Sequence, residues 1–496
     1  MTAGTIAGLL DTSASARPGR PLLRDTAGNT LTVADVAVLT SAATGWLWEA
    51  GIRRGMTVAW QLPSNVAAGL VMLALARSDV TQAPILHLYR EREVAAACDV
   101  AGADIVVVDE STATNAPAGA RVVALPTDLV DRLRALPVRP HPGLAGQRSA
   151  QDSRWVYFTS GTTGQPKGVR HSDATLLAAA RGFAAHLGLG DHPGEVGTVV
   201  FPIAHIGGMV YLAAALLADM PLVMIPKVGE DLPDLLARHN VTVTGASTAF
   251  YQMLLSAQLA SGSGEPLIPS LRMLIGGGAS CPPELHKRVR EYMGIPIVHA
   301  YGMTEAAMVC VSKSSDTEEQ QSYSSGLPIS GAAARITANG EIEVRGANLA
   351  PGYVDAQQWA DATTSDGWFR TGDQGYLRSD GRIVVTGRTK ELIIRKGENI
   401  APDEIENELL AHPLVDEVAV LGQPDELRGE LVCAVVRRSR RHRDVTLDEL
   451  CAFLDERGLM KQKWPERLVI VDEFPLTGLG KVAKSELAQH IAGGNR

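Results

Sequence analysis

Short runs of aliphatic and β-branched residues alternate with longer stretches of helical spacing through most of this chain, and that alternation restricts the fold more than any other feature. TVAWQLP, ADIVVVD, GTVVFP, PLVMIP, NVTVTGA and LRMLIGGG each have the length and apolar character of a buried strand. NVAAGLVMLALARSD and TVADVAVLTSAATGWLWEAG (Thr32 to Gly51) carry helical spacing, the second with a glycine stop. Strands interleaved with helices predict an α/β fold with layered sheets and largely parallel pairing, because a parallel crossover needs a helix to bring the chain back. The most apolar stretch, GGMVYLAAALLADMPLVMIP, is interrupted by Asp219 and Pro221, so it reads as a buried helix running into a strand and not as a membrane span.

The pattern changes towards the C-terminus. GEIEVRG, GYLRSDGRIVVTGR and KELIIRKGENI are short and hairpin-like, with Asn-Gly and Asp-Gly as turn signals. PDEIENELLAHPLV then reads as a helix with Pro402 at its start, followed by two strands, a helix and a strand. A chain of 496 residues exceeds what one hydrophobic core organises. The expected division is a large N-terminal domain of 1–388, a connection at 389–392 within GRTKEL, and a smaller α+β cap domain of 393–496.

Charge and cysteine usage exclude several classes. A net charge of -9 argues against a general nucleic-acid binder. The one dense basic run, RRSRRHR (Arg437 to Arg443), reads as a solvated loop. Cys98, Cys281, Cys310, Cys433 and Cys451 are scattered without a C-x-x-C pair, which supports neither a zinc site nor a disulfide framework and fits a reducing cytosol. The first twenty residues lack the charged start and apolar core of a signal peptide, so the expected location is cytoplasmic.

YFTSGTTGQPKGVRH (Tyr157 to His171) carries the chemistry. Glycines let backbone N–H groups approach an anion, hydroxyls add donors, and a lysine adds a point charge. On composition two readings stand: a flexible surface turn, or a cradle for polyphosphate. The spacing is not that of the nucleotide-triphosphate P-loop, which requires Gly-Lys-Ser/Thr, whereas Lys167 follows Pro166. The next helix should begin later, capped by Ser172 or Asp173.

FTSGTTGQPKGV resembles the signature loop of the adenylate-forming superfamily: acyl-CoA synthetases, stand-alone adenylation domains and luciferases. The family's other motifs follow in order: FPIAHIGG (Phe201 to Gly208), LIGGGAS (Leu274 to Ser280), HAYGMTEA (His299 to Ala306), GYVDAQQWADATTSDGWFRTGD (Gly352 to Asp373), GRTKELIIRKGENIAPDEIE (Gly387 to Glu406) and PLTGLGKVAK (Pro475 to Lys484). The resemblance implies ATP-dependent activation of a carboxylic acid to an acyl-adenylate, release of pyrophosphate, then transfer to CoA. The alternative acceptor is a carrier protein or a partner enzyme. It further implies that Thr159, Ser160, Gly161, Thr162, Thr163 and Lys167 hold the β- and γ-phosphates, that Thr304 bonds the α-phosphate, and that Glu305 ligates Mg2+. Tyr301 and Gly302 would face adenine opposite Gly277, Gly278 and Ala279. Asp373 and Arg388 would reach the ribose, Lys390 would be the hinge, and Lys481 would contact carboxylate and α-phosphate together. His205 would gate or line the acyl site. Ile206, Ala246, Phe250, Gly276, Ala300 and Met303 would complete a pocket with few charges, which suits an apolar fatty, aryl or alicyclic acid. A non-catalytic nucleotide-binding protein is disfavoured because Lys167, Thr304, Glu305, Asp373, Arg388 and Lys481 are all present.

Overall fold

The computed structural model describes residues 4–138, 141–146, 149–159, 166–278, 281–389, 391–395, 398–425, 429–439, 442–477 and 481–493. Its helices begin where the sequence supplies caps. Thr32 and Asp35 close a reciprocal capping box at the start of the helix Val33–Glu49. Asn65 caps Val66–Arg77 and Ser172 caps Asp173–Leu187, the position anticipated after the glycine-rich segment.

Two large sheets form the body. The first runs, in spatial order, Leu327–Pro328, Cys310–Val311, Ile297–Tyr301, Met273–Gly277, Val243–Thr244, Gly197–Val199, Leu222–Met224, Pro21–Arg24 and Thr30–Thr32. From Ile297–Tyr301 across to Pro21–Arg24 every pairing is parallel. The second runs Gly352–Tyr353, Lys167–Ser172, Ser153–Thr159, Thr81–Ile85, Thr57–Gln61, Ile105–Val108 and Val122–Ala124. Its first two strands are added antiparallel and the rest pair in parallel. Helices between the sheets are apolar almost all round: Ile206–Ala218 and Val66–Arg77 are buried along nearly their whole lengths, as a helix between two layers must be. The stretch expected to turn from buried helix to strand does so, with Ile206–Ala218 leading to Leu222–Met224. Among the described residues no helix is long and apolar enough to cross a membrane.

A third, antiparallel sheet contains Ala332–Ile336, Glu341–Gly346, Phe369–Leu377 and Ile383–Arg388, with Asn339-Gly340 and Asp380-Gly381 at its turns. The C-terminal part has its own sheet. Glu398–Ile400, Ile393–Arg395, Gly429–Arg437 and Val418–Asp425 pair antiparallel, and Arg467–Val471 joins Gly429–Arg437 in parallel. Ile405 and Leu409 of the helix Pro402–Leu409, with Leu450 and Leu454 of Leu447–Glu456, pack against Val420, Val432 and Val436 in a separate core.

One polar anchor crosses the body. Asp173 is fully buried, with Oδ1 accepting from Trp155 Nε1 at 2.8 Å and Oδ2 from the Ile6 N–H at 3.0 Å. The first helix, Ile6–Ala16, is thereby fastened to the element that follows the glycine-rich segment. In the basic run, Arg437 pairs with Glu417, Arg438 with Asp444 and Asp472, and Arg443 with Glu449. All five cysteines are free.

Candidate active site

The ends of two strands and the middle of a third, Phe369–Leu377, bring Tyr301, Arg388 and Asp373 together. Asp373 and Arg388 are cross-strand neighbours in the antiparallel sheet, and Tyr301 closes the strand Ile297–Tyr301. The Tyr301 hydroxyl donates to Asp373 Oδ2 at 2.7 Å, and Arg388 Nε lies 3.1 Å from Asp373 Oδ1. Asp373 is buried while Arg388 remains exposed. Burial raises the Asp373 carboxyl, opposed by Arg388, the Tyr301 hydrogen bond and Lys481. Burial, then Asp373, raises the Tyr301 phenol well above its ordinary value. A buried carboxylate beside an exposed guanidinium can accept from a diol at the cleft edge.

The turn carrying Thr304 and Glu305 depends on Gly302, where an added Cβ would lie 2.6 Å from Met308 N. His171 secures the turn from behind. Its Nε2 lies 2.7 Å from the Thr304 carbonyl oxygen, and its Nδ1 lies 2.9 Å from the Thr175 hydroxyl. The carbonyl can only accept, so Nε2 carries the proton. Burial lowers His171 to about 4, which keeps it neutral at neutral pH. Glu305 is buried, and its Oε1 accepts from the Tyr353 hydroxyl at 2.7 Å. Lys167, paired with Thr159 across the two strands, lies 5.2 Å from the centroid of the Tyr353 ring. Ser160, Gly161, Thr162, Thr163, Ala279 and Lys390 lie outside the described residues.

Lys481 reaches this cleft from the C-terminal part. A Cβ added at Gly278, whose φ is +82°, would be 3.7 Å from Lys481 Nζ. Burial lowers the lysine, Arg388 lowers it further, and Asp373 and Glu391 oppose the shift. His205 feels the same ammonium: burial first and Lys481 second bring it to about 4. Thr477 fixes the approach, accepting the Lys481 N–H on its hydroxyl at 3.2 Å and donating its own N–H to the Lys481 carbonyl at 2.7 Å. Three residues on, Lys484 Nζ lies 2.8 Å from Glu406, 3.6 Å from Asp403 and 3.8 Å from Glu391.

The predicted acyl-site residues are buried or half-buried but do not form one apolar cluster. His205 caps the helix Ile206–Ala218, its Nδ1 accepting from the Gly207 N–H at 3.1 Å. Ile206 and Ala300 pack in the main core, Phe250 and Ala246 in a second cluster, and Met303 beside a third. Gly276 and Gly277 sit where a Cβ would collide with the Ala246 and Ala300 carbonyls, so strand packing alone requires glycine at both.

Sequence reasoning missed Tyr353, His171 and Lys484. All three stand inside motifs it quoted, yet each acts on a residue distant in the chain or across an element, and no local pattern marks such a contact.

The fold and the cleft define a nucleotide-dependent ligase built of a large lobe and a smaller cap. Residues 10–354 match the family described as AMP-binding enzyme, and residues 404–481 match the AMP-binding enzyme C-terminal domain. The chain is 30% identical to the oxalate–CoA ligase of Arabidopsis thaliana, covering 99% of each chain. It is 32% identical to a 2-succinylbenzoate–CoA ligase of Bacillus thuringiensis subsp. konkukian over 75% of this chain and 79% of that one. Among solved structures, ATP-bound MatB from Rhodopseudomonas palustris superposes with a TM-score of 0.88 at 28% identity, covering 99% of this chain and 100% of that one. The apo form of that protein superposes with a TM-score of 0.77. The o-succinylbenzoate CoA synthetase of Bacillus subtilis, in complex with its acyl-adenylate intermediate, gives 0.84 at 26% identity, covering 97% of each chain. The chain belongs to the AMP-binding enzyme family. It is an acid–thiol ligase that works through an acyl-adenylate.

Proposed function

We propose that the protein activates an apolar fatty, aryl or alicyclic acid with ATP and Mg2+ and passes the acyl group to CoA in the cytoplasm. A carboxylate oxygen attacks the α-phosphorus, the bond to the bridging oxygen breaks, and pyrophosphate leaves. The CoA sulfur then attacks the acyl carbonyl and AMP departs. An anion attacks a polyanion in the first step, so preorganised positive charge is the main requirement.

The chain's own residues divide that work. Tyr301, Gly277 and Gly278 face the base; Asp373 and Arg388 take the ribose; Thr304 bonds the α-phosphate. Thr159, Lys167 and the segment between them hold the outer phosphates. His205 is neutral with its Nδ1 committed to a helix cap, which fits lining the acyl site better than moving a proton. Glu305 fits Mg2+. One of its oxygens is occupied by Tyr353, and among the described residues no hydrogen bond reaches the other. Among the described residues there is also no cluster of three or more His, Cys, Asp or Glu able to hold a metal, and Mg2+ is usually held by one or two carboxylates plus substrate phosphates. When bound, the cation would neutralise the leaving pyrophosphate. For the second step the cap, 393–496, would turn about 389–392 at Lys390.

The observation that carries this reading is the placement of Lys481, half-buried in the large lobe's cleft beside Gly278 and within electrostatic reach of Asp373, Arg388 and His205. The higher similarity to the ATP-bound than to the apo form of MatB supports the same cap orientation for adenylation. The test is exchange of labelled pyrophosphate into ATP across a panel of fatty, aryl, alicyclic and dicarboxylic acids. CoA and a phosphopantetheinylated carrier protein are then offered separately. Exchange with an apolar acid followed by CoA thioester is expected. Exchange confined to dicarboxylic acids overturns the substrate class, and transfer only to the carrier overturns the acceptor.

A further inference from the structure

We propose that Tyr353 is a positioning residue for the metal and polyphosphate end of the site, orienting the Glu305 carboxylate with its hydroxyl and the Lys167 ammonium with its ring. This rests on the reading of Glu305 and Lys167 given above. Tyr353 is buried and belongs to the two-residue strand Gly352–Tyr353 at the edge of the second sheet. It pairs with Val169, so it lies beside the strand that carries Lys167. Trp359 meets its ring edge-on at 5.1 Å and Phe369 at 6.4 Å, which leaves the ring one orientation. In that orientation the hydroxyl is 2.7 Å from Glu305 Oε1 and the ring centroid is 5.2 Å from Lys167 Nζ.

The same stretch of chain grips the backbone of the turn. The Ala350 N–H donates to the Glu305 carbonyl at 2.8 Å, and Ala306 bridges to Leu349. Residues 349–353 therefore fix both the main chain and the side chain of Glu305, and reach Lys167 by way of the ring. Two charges of opposite sign, each wanted by the substrate, face one phenol. The hydroxyl restrains the carboxylate, and the aromatic face attracts the ammonium without neutralising it. A partner that orients a metal ligand typically changes metal affinity by 10–100-fold when removed.

Tyr353→Phe and Tyr353→Leu separate the two contacts. The phenylalanine keeps the ring and its packing on Trp359 and Phe369, so the fold and the lysine contact survive while the hydrogen bond is lost. ATP binding is measured by calorimetry at rising Mg2+, with no acid present, so that no turnover occurs. For Tyr353→Phe the Mg2+ concentration giving half-maximal enhancement of ATP binding should rise about tenfold, with ATP affinity in the absence of Mg2+ unchanged. Tyr353→Leu should also weaken ATP binding without Mg2+. In a Glu305→Gln background, Tyr353→Phe should produce no further shift, because the hydroxyl acts only through that carboxylate. A Tyr353→Phe chain with the wild-type Mg2+ dependence overturns the inference while leaving the function intact. A wild-type chain whose ATP binding ignores Mg2+ overturns the role of Glu305 and the inference with it.

Discussion

Replacing Lys481 by methionine removes one charge and keeps an unbranched side chain of similar length, so it isolates the ammonium. The residue is half-buried, and that desolvation lowers its pKa, which marks a site where water screens less than at the open surface. At 4 Å and an effective dielectric of about 20, one unit charge interacts with another by about 4 kcal/mol. Only the part of that attraction that grows between bound ATP and the transition state accelerates the step. Loss of one preorganised donor typically costs about 2.7–4 kcal/mol, or roughly 10²–10³ in kcat. Acid-dependent pyrophosphate–ATP exchange should therefore fall by about 10²–10³ with the KM for ATP altered less than about threefold, since on the proposed reading Asp373, Arg388 and Thr304 would still hold the nucleotide. Thioester formation from a supplied acyl-adenylate and CoA should stay within about twofold of wild type, because the cap rotation proposed above would withdraw this lysine. Exchange within about threefold of wild type would refute the reasoning, as would an equal loss in both half-reactions.

Other consequences are as direct. Because Lys481 is depressed below the ordinary lysine value of 10.5, the free enzyme loses that charge at lower pH than an exposed lysine would. The kcat/KM for ATP should fall on the alkaline side below pH 10.5, while the limb in kcat lies higher because bound polyphosphate favours the ammonium; a pH–rate profile without an alkaline limb in kcat/KM contradicts this. Gly302→Ala sets a Cβ 2.6 Å from Met308 N and should destabilise the chain by about 1–3 kcal/mol in urea, with adenylation lowered at least about tenfold by displacement of Thr304 and Glu305. Asp173→Ala leaves the Trp155 Nε1–H and the Ile6 N–H unpaired in the interior and should cost about 2–5 kcal/mol by urea unfolding; a change under about 0.5 kcal/mol would show that water satisfies both donors.

The parts of this structure that local chemistry controls were legible in the sequence. Ser172 as a cap, Pro402 at a helix start and Asn339-Gly340 at a turn are each set by neighbours within a few residues. The motif series also named Tyr301, Asp373, Arg388 and Lys481, which the fold brings to one cleft. What stayed hidden are contacts between distant positions. His171 and Thr304 are 133 residues apart, Tyr353 and Glu305 are 48 apart, and Ile6 and Asp173 are 167 apart. A histidine within a valine-containing strand, one residue before a helix cap, has no periodic signature that says which carbonyl it will meet. The apolar character of the acyl-site residues was also visible, but their separation into different clusters is set by which face of the strand Met273–Gly277 each helix covers.

Lys484 and its three carboxylates have a consequence for engineering. Glu391, Asp403, Glu406 and Lys484 all lie downstream of Arg388; on the division proposed above, Asp403, Glu406 and Lys484 fall in the cap and Glu391 in the connection before it, so a turning cap would carry most of these charges with it. A recombinant that exchanges everything after Arg388 for the matching piece of another ligase would import its own internal counter-ions. Compatibility at such a junction would then be decided by shape and by the Asp373–Arg388 pair at the seam, with the graft's interior ionic balance already complete.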